Sequence, residues 1–163
     1  MSKQIKKTNV MRALESHDIP YRQYEYDDSD NMIDGVTVAN MIGQDPDRVF
    51  KTLVTVSKNR INYVFVLPVN KELDLKKAAK TVNEKYIEMI SVKDIEPATG
   101  YIKGGCSMIG MRKQFITVFD ESALLYDTII FNGGKVGTQV EVDPQLIGKI
   151  IPCKFEDITI DNN

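Results

Sequence analysis

Residues 50–68 read FKTLVTVSKNRINYVFVLP, and most of the architecture can be reasoned outward from them. Two runs rich in β-branched and aromatic side chains, 50–57 and 61–68, flank Lys58-Asn59-Arg60. That pattern predicts two strands joined by a hairpin of three or four loop residues. Downstream, Asp74 is placed to cap a helix running through Lys85, with Leu75, Ala78, Ala79 and Val82 on its apolar face. Ser91 with Asp94 opens a further short helix, which Glu96-Pro97 closes. Strands are predicted at 115–120, 128–132 and 139–142, then a helical turn from Asp143-Pro144 and a last strand near 150–155. Upstream, Val10, Met11 and Leu14 share one face of a helix over 7–17 that Thr8 can cap and Asp18-Ile19-Pro20 ends. A strand at 21–26, a polar turn at 27–35, a short capped helix at 37–43 and a helical turn from Asp45-Pro46 complete the reading. Strands in hairpin order with helices inserted between groups predict an α+β fold rather than a regular parallel sheet. Several strands are short and glycine-broken, which suits a strongly curved, mostly antiparallel sheet or a small barrel surrounded by helices.

Composition narrows the function. The 163 residues are the size of one domain, 1–163, with 42% hydrophobic and 27% charged side chains. A net charge of −2 gives no global positive field, so any polyanion has to be held by a local patch. Cys106 and Cys153 are too few for a disulfide framework and suggest no zinc quartet; neither metal nor cofactor is expected. The opening MSKQIKKTNVMRAL has no apolar core of a leader, and no apolar run approaches the roughly 18 residues of a membrane span. A cytoplasmic location with no membrane association is the expectation.

Four features bear on chemistry. GYIKGGCSMIGMRK, residues 100–113, carries four glycines, one thiol and three basic side chains. Gly104 and Gly105 can bring backbone N–H groups to a ligand as an anion nest or oxyanion hole, or form a bulge or tight turn. Lys51 interrupts an apolar strand: it points to solvent, or into a concavity as a fixed positive charge, with the Thr52 hydroxyl beside it. FNGGKVG, residues 131–137, is a second glycine turn, either a hairpin alone or the other side of the same pocket. The sole histidine, His17, sits at a helix end and assembles no Ser-His-Asp or Cys-His constellation; Cys106 has no base partner and reads as a structural thiol.

Several of these stretches resemble the YbaK/EbsC-type aminoacyl-tRNA deacylases, related to the editing domain inserted in bacterial prolyl-tRNA synthetases. TNVMRALESHDIPY is similar to the family's opening helix and strand, VFKTLV carries its lysine, and LDLKKAAK its central helix. TGYIKGGCSMIGMRK and FNGGKVG resemble its two glycine turns. The resemblance implies a barrel-like mixed core and hydrolysis of a mischarged tRNA, typically Cys-tRNA(Pro) and in some members Cys-tRNA(Cys), with prolyl-tRNA synthetase as partner. It places Lys51 and Gly104 in the catalytic centre, on the aminoacylated 3′ end. Tyr26, Thr52, Gly105, Ser107, Asn132, Gly133 and Gln139 fall on its substrate-binding positions. The sequence departs from the pattern at Met108, Asn132, Val136 and Gln139, where the family has proline, serine, arginine and aspartate. Amino-acid preference therefore stays open, a deacylase for Ala-tRNA(Pro) or a non-catalytic module for an RNA end or protein being the alternatives. With no histidine base, the mechanism expected is substrate-assisted.

Overall fold

The computed structural model describes residues 7–27 and 34–161. The hairpin forms as β2 (Phe50–Ser57) and β3 (Asn62–Pro68), antiparallel, with Lys51 opposite Leu67 and Thr55 opposite Tyr63. Arg60 takes the positive φ of 64° that closes the turn, and the Ser57 hydroxyl accepts from the Ile61 N–H. Alternation along the pair feeds two cores. Phe50, Val54, Val64 and Val66 join one cluster, whereas Leu53, Tyr63, Phe65 and Leu67 join another. This is why residues 63–67 read as an unbroken apolar run: the strand is buried on both faces.

β5 (Ile116–Asp120) lies parallel to β3, β8 (Cys153–Glu156) parallel to β5, and β4 (Ile87–Met89) antiparallel to the far end of β2. The result is a five-stranded mixed sheet ordered β4-β2-β3-β5-β8. β1 (Arg22–Glu25), β7 (Thr138–Val142) and β6 (Ile129–Asn132) form a separate antiparallel sheet ordered β1-β7-β6. The two sheets are joined by a parallel bridge between Val49 and Ile130. The α+β class therefore stands, but the small barrel read from the glycine-broken strands does not close: β6 reaches only the start of β2, and β4 only its end.

Helix α1 (Asn9–Ser16) starts where the Thr8 hydroxyl accepts from the Met11 N–H at 3.2 Å, and buries Val10, Met11 and Leu14. α2 (Gly35–Met41) begins two residues earlier than predicted because the Asp34 carboxylate accepts from Thr37 N–H at 2.8 Å. Most of the polar turn read at 27–35 lies outside the described residues. α3 (Leu75–Thr81), capped by Asp74, stops short of Lys85, since Asn83 turns to φ 57°. It buries Ala78 and Ala79, while Leu75 faces outward at 38% exposure, against the sequence reading. α4 (Val92–Thr99) runs through Pro97, where the sequence predicted its end. Proline removes only its own N–H, and the last turn is kept by Gly100 N–H to Glu96 O and Thr99 Oγ1 to Ile95 O. Gly100, at φ 85°, ends it.

Candidate active site

The partial pairing of β2 creates the site. Val54 O accepts from Ile90 N–H on the β4 side, and Val49 O accepts from Val69 N–H on the β3 side. By the two-residue alternation of a strand, the backbone N–H and C=O of Thr52 face the edge that neither β4 nor β6 covers. A cavity of ≈ 400 Å³ opens along this gap. Its walls are β2 from Phe50 to Val54, Val38 of α2, Val92 and Ile95 of α4, Tyr26 after β1, Lys103, Gly104 and Cys106 of the glycine segment, and Asn132 and Gln139. Lys51 and Gly104 thus line one hollow. Asn132 and Gln139 are directly opposed in the β6–β7 register.

The two glycine turns pack on each other rather than on opposite walls. Asn132 Nδ2 donates to Gly104 O at 2.9 Å, and Asn132 Oδ1 accepts from Gly134 N–H at 2.7 Å. Its amide is consumed in clamping the turns. Gly104 holds φ 86°, and its N–H makes no hydrogen bond among the described residues. A Cβ on Gly105 would stand 3.1 Å from Val136 N and 3.4 Å from the Lys135 backbone, so any larger residue would press on the second turn. Of the predicted site residues, Gly105, Ser107 and Gly133 are not among those lining the cavity. Ser107 is fully buried and its Oγ lies 3.4 Å from the Ile109 N–H; Gly133 N–H donates to Thr138 O within the hairpin.

Several polar groups in the wall, Lys51, Thr52 and Gln139 among them, have no hydrogen-bond partner among the described residues. Lys51 is half-buried and makes neither ion pair nor hydrogen bond among them; burial lowers its pKa, against the opposing pull of the Glu72 carboxylate. Thr52 Oγ1 is buried with no hydrogen-bond partner. The Gln139 amide, on a residue 6% exposed, makes no hydrogen bond among the described residues either. Burial pushes the Cys106 thiol up to about 11, so it is protonated at neutral pH and a poor nucleophile. His17 sits at the exposed end of α1 with Nδ1 2.9 Å from Ala13 O. The cavity lining contains no histidine and no carboxylate among the described residues. No three His, Cys, Asp or Glu side chains among them come together to hold a metal, and no helix is long and apolar enough to cross a membrane.

The aminoacyl-tRNA editing domain model matches residues 34–149, a span that includes every lining residue except Tyr26. The chain belongs to the aminoacyl-tRNA editing domain family. An Enterococcus faecalis protein named "Putative Cys-tRNA(Pro)/Cys-tRNA(Cys) deacylase EbsC" is 46% identical over 153 residues, covering 94% of this chain and 93% of that protein. Among solved structures, a "putative trans-editing enzyme for prolyl tRNA synthetase" superposes with a TM-score of 0.79 at 20% identity, over 94% of this chain and 96% of that one. A hypothetical protein of known structure gives 0.84 at 16% identity, over 94% of this chain and all of the other. These distant likenesses establish the fold of the editing domain.

Sequence reasoning missed Val38, Ile95 and Lys103 as wall residues. Lys103 adjoins Gly104 and carried a usable signal. Val38 and Ile95 are ordinary helix apolars, and only the tertiary gap in β2 makes them a wall.

Proposed function

We propose that this aminoacyl-tRNA deacylase clears Cys-tRNA(Pro), acting in trans beside prolyl-tRNA synthetase. A synthetase pocket separates amino acids of similar bulk by only about 1–3 kcal/mol per small group, so a second, hydrolytic sieve is needed. The observation carrying this reading is the pairing, in one cavity, of the Lys51 ammonium, unpartnered among the described residues, with a glycine backbone at Gly104. The volume falls within the roughly 300–1,000 Å³ of small-ligand pockets, enough for an esterified terminal adenosine and little more.

In this reading Lys51 holds a polar or phosphate oxygen of the 3′ end. The ester carbonyl lies against Gly104, whose N–H receives the developing oxyanion. Gln139 and Thr52 supply the remaining polar contacts, and Val38, Ile90 and Ile95 hold the amino-acid side chain. Among the described residues the lining offers no carboxylate or imidazole base, so in this reading the substrate provides the reacting group. The cysteine thiol attacks its own ester carbonyl; the new C–S bond forms as the C–O bond to ribose breaks. The thiol proton passes to the departing ribose oxygen, and water then opens the cyclic thioester. Orientation alone contributes on the order of 7–11 kcal/mol when held near attack. The second substrate group able to assist is the ribose 2′-hydroxyl, by orienting a water.

The test is deacylation of a panel of charged tRNAs, with and without prolyl-tRNA synthetase. Cys-tRNA(Pro) is expected to be cleaved fastest, with Cys106→Ala retaining activity. Preference for Ala-tRNA(Pro) would overturn the thiol mechanism, and binding without turnover of any ester would overturn the assignment. A substrate ending in 2′-deoxyadenosine loses rate only if the ribose hydroxyl takes part.

A further inference from the structure

A second concavity, a groove of ≈ 1060 Å³, adjoins the cavity and shares Met89 and Ile90 with it. One rim is the tip of the β2–β3 hairpin, bearing Lys58, Arg60 and Asn62; the other is β4 and α4, bearing Tyr86, Glu88, Ser91 and Asp94. We propose that this groove is the track of the unpaired acceptor strand that precedes the esterified adenosine. The proposal rests on the deacylase reading of the cavity and assigns the next contacts along the RNA.

Continuity comes first: a strand whose last nucleotide lies at Thr52 can leave over Met89 and Ile90 directly into the groove. From Thr52 to Lys58 is about 20 Å along β2, at roughly 3.3 Å per residue, the reach of a few unpaired nucleotides. Charge comes second. Lys58 and Arg60 are exposed and neither makes an ion pair or side-chain hydrogen bond among the described residues, so both ends are free for phosphates. The groove also holds two carboxylates, on the opposite rim. Glu88 accepts from the Tyr86 hydroxyl at 3.0 Å, and Asp94 stands in the first turn of α4. Carboxylates there suit base edges rather than backbone, since Asp and Glu accept from the exocyclic amine of cytosine, and cytosines precede the terminal adenosine in every tRNA. Third, Tyr86 is 56% exposed although its ring is large and apolar. An exposed aromatic facing free cations across a groove is the equipment for stacking an unpaired base. Opposed rims of phosphate-binding and base-binding character would set the strand's orientation.

The experiment compares Cys-tRNA(Pro) with a minimal substrate, cysteine esterified to adenosine, in wild type, Lys58→Gln/Arg60→Gln, Tyr86→Ala and Tyr86→Phe. Glutamine at position 60 keeps a Cβ at its positive φ, so hairpin strain is unchanged. The double variant is expected to raise KM for the tRNA several-fold with little change in kcat. The ratio of kcat/KM on tRNA to that on the minimal ester should fall. The slope of log(kcat/KM) against log salt should flatten by about 0.7 for each single-strand phosphate that is no longer neutralised. Tyr86→Ala should lower the same ratio, and Tyr86→Phe, which retains the stacking face, should restore it. An unchanged ratio and salt slope in the double variant would overturn the track. Failure of wild type to cleave either substrate would instead overturn the deacylase reading.

Discussion

Replacing Lys51 by Met keeps the apolar stem and removes the charge, and the structure predicts opposite signs for activity and stability. The ammonium is half-buried with no hydrogen bond or ion pair among the described residues, and burial lowers its pKa from the ordinary 10.5 against the weaker pull of Glu72. A hydrogen bond to a charged group is worth about 1.5–3 kcal/mol, so if Lys51 binds the 3′ end through one such bond, kcat/KM falls about 10- to 150-fold. The free protein, relieved of a half-buried charge that Glu72 only partly offsets, should be as stable as wild type or more so, by up to about 1 kcal/mol. The pH dependence follows. With the folded pKa depressed, the unfolded chain binds more protons between that value and 10.5, so wild-type stability rises with pH across this window. Lys51→Met lacks the rise, and its advantage narrows as the solution becomes alkaline. Single-turnover deacylation and melts at stepped pH measure both effects. Wild-type kcat/KM in the variant would refute the assigned role, and a clear loss of stability would show that the ammonium has an internal partner.

Four further substitutions probe the cavity and its supports. Gly104→Ala meets only Val136 Cγ2, at 3.6 Å, so its cost is the positive φ alone, about 1–2 kcal/mol; Gly105→Ala drives a Cβ against the Val136 and Lys135 backbone and should cost more by denaturant titration. Thr52→Val removes a buried hydroxyl with no partner and should raise the melting temperature, by about 1 kcal/mol of stability, while slowing deacylation; a destabilised variant would mean the hydroxyl is bonded. Glu141 accepts from Thr128, Tyr24 and Arg48, at 2.6, 2.5 and 3.1 Å. Burial raises its pKa, but these donors outweigh that and bring it below 4.5. Its stabilising contribution is therefore present above the unfolded value and lost as pH falls through the lowered one. Glu141→Gln should cost about 1–3 kcal/mol at pH 7, a deficit that shrinks in acid unfolding.

Local chemistry carried the sequence reading far. Thr8, Asp74 and Asp143 cap where their spacing says, and the hairpin around Lys58-Asn59-Arg60 forms as read. The candidate cavity was legible in outline because a lysine in an apolar strand and two glycine turns are each unusual for their surroundings. The orientation of Lys51 was not, since alternation does not say which face meets a hollow. The hollow itself depends on β4 and β6 covering different ends of β2, pairings separated by long stretches of chain. Helix ends were misjudged where one backbone angle, as at Asn83, or one surviving hydrogen bond, as beyond Pro97, outweighed side-chain preference.

The Asn132 amide, bonded at one end to Gly104 and at the other to Gly134, has a dynamic consequence. Neither turn can open alone without stranding a polar group of the other, so the two should exchange their protected amide hydrogens as one cooperative unit. An Asn132→Ala chain would let them breathe independently, loosening the Gly104 wall of the cavity while leaving the strands that carry the lysine intact.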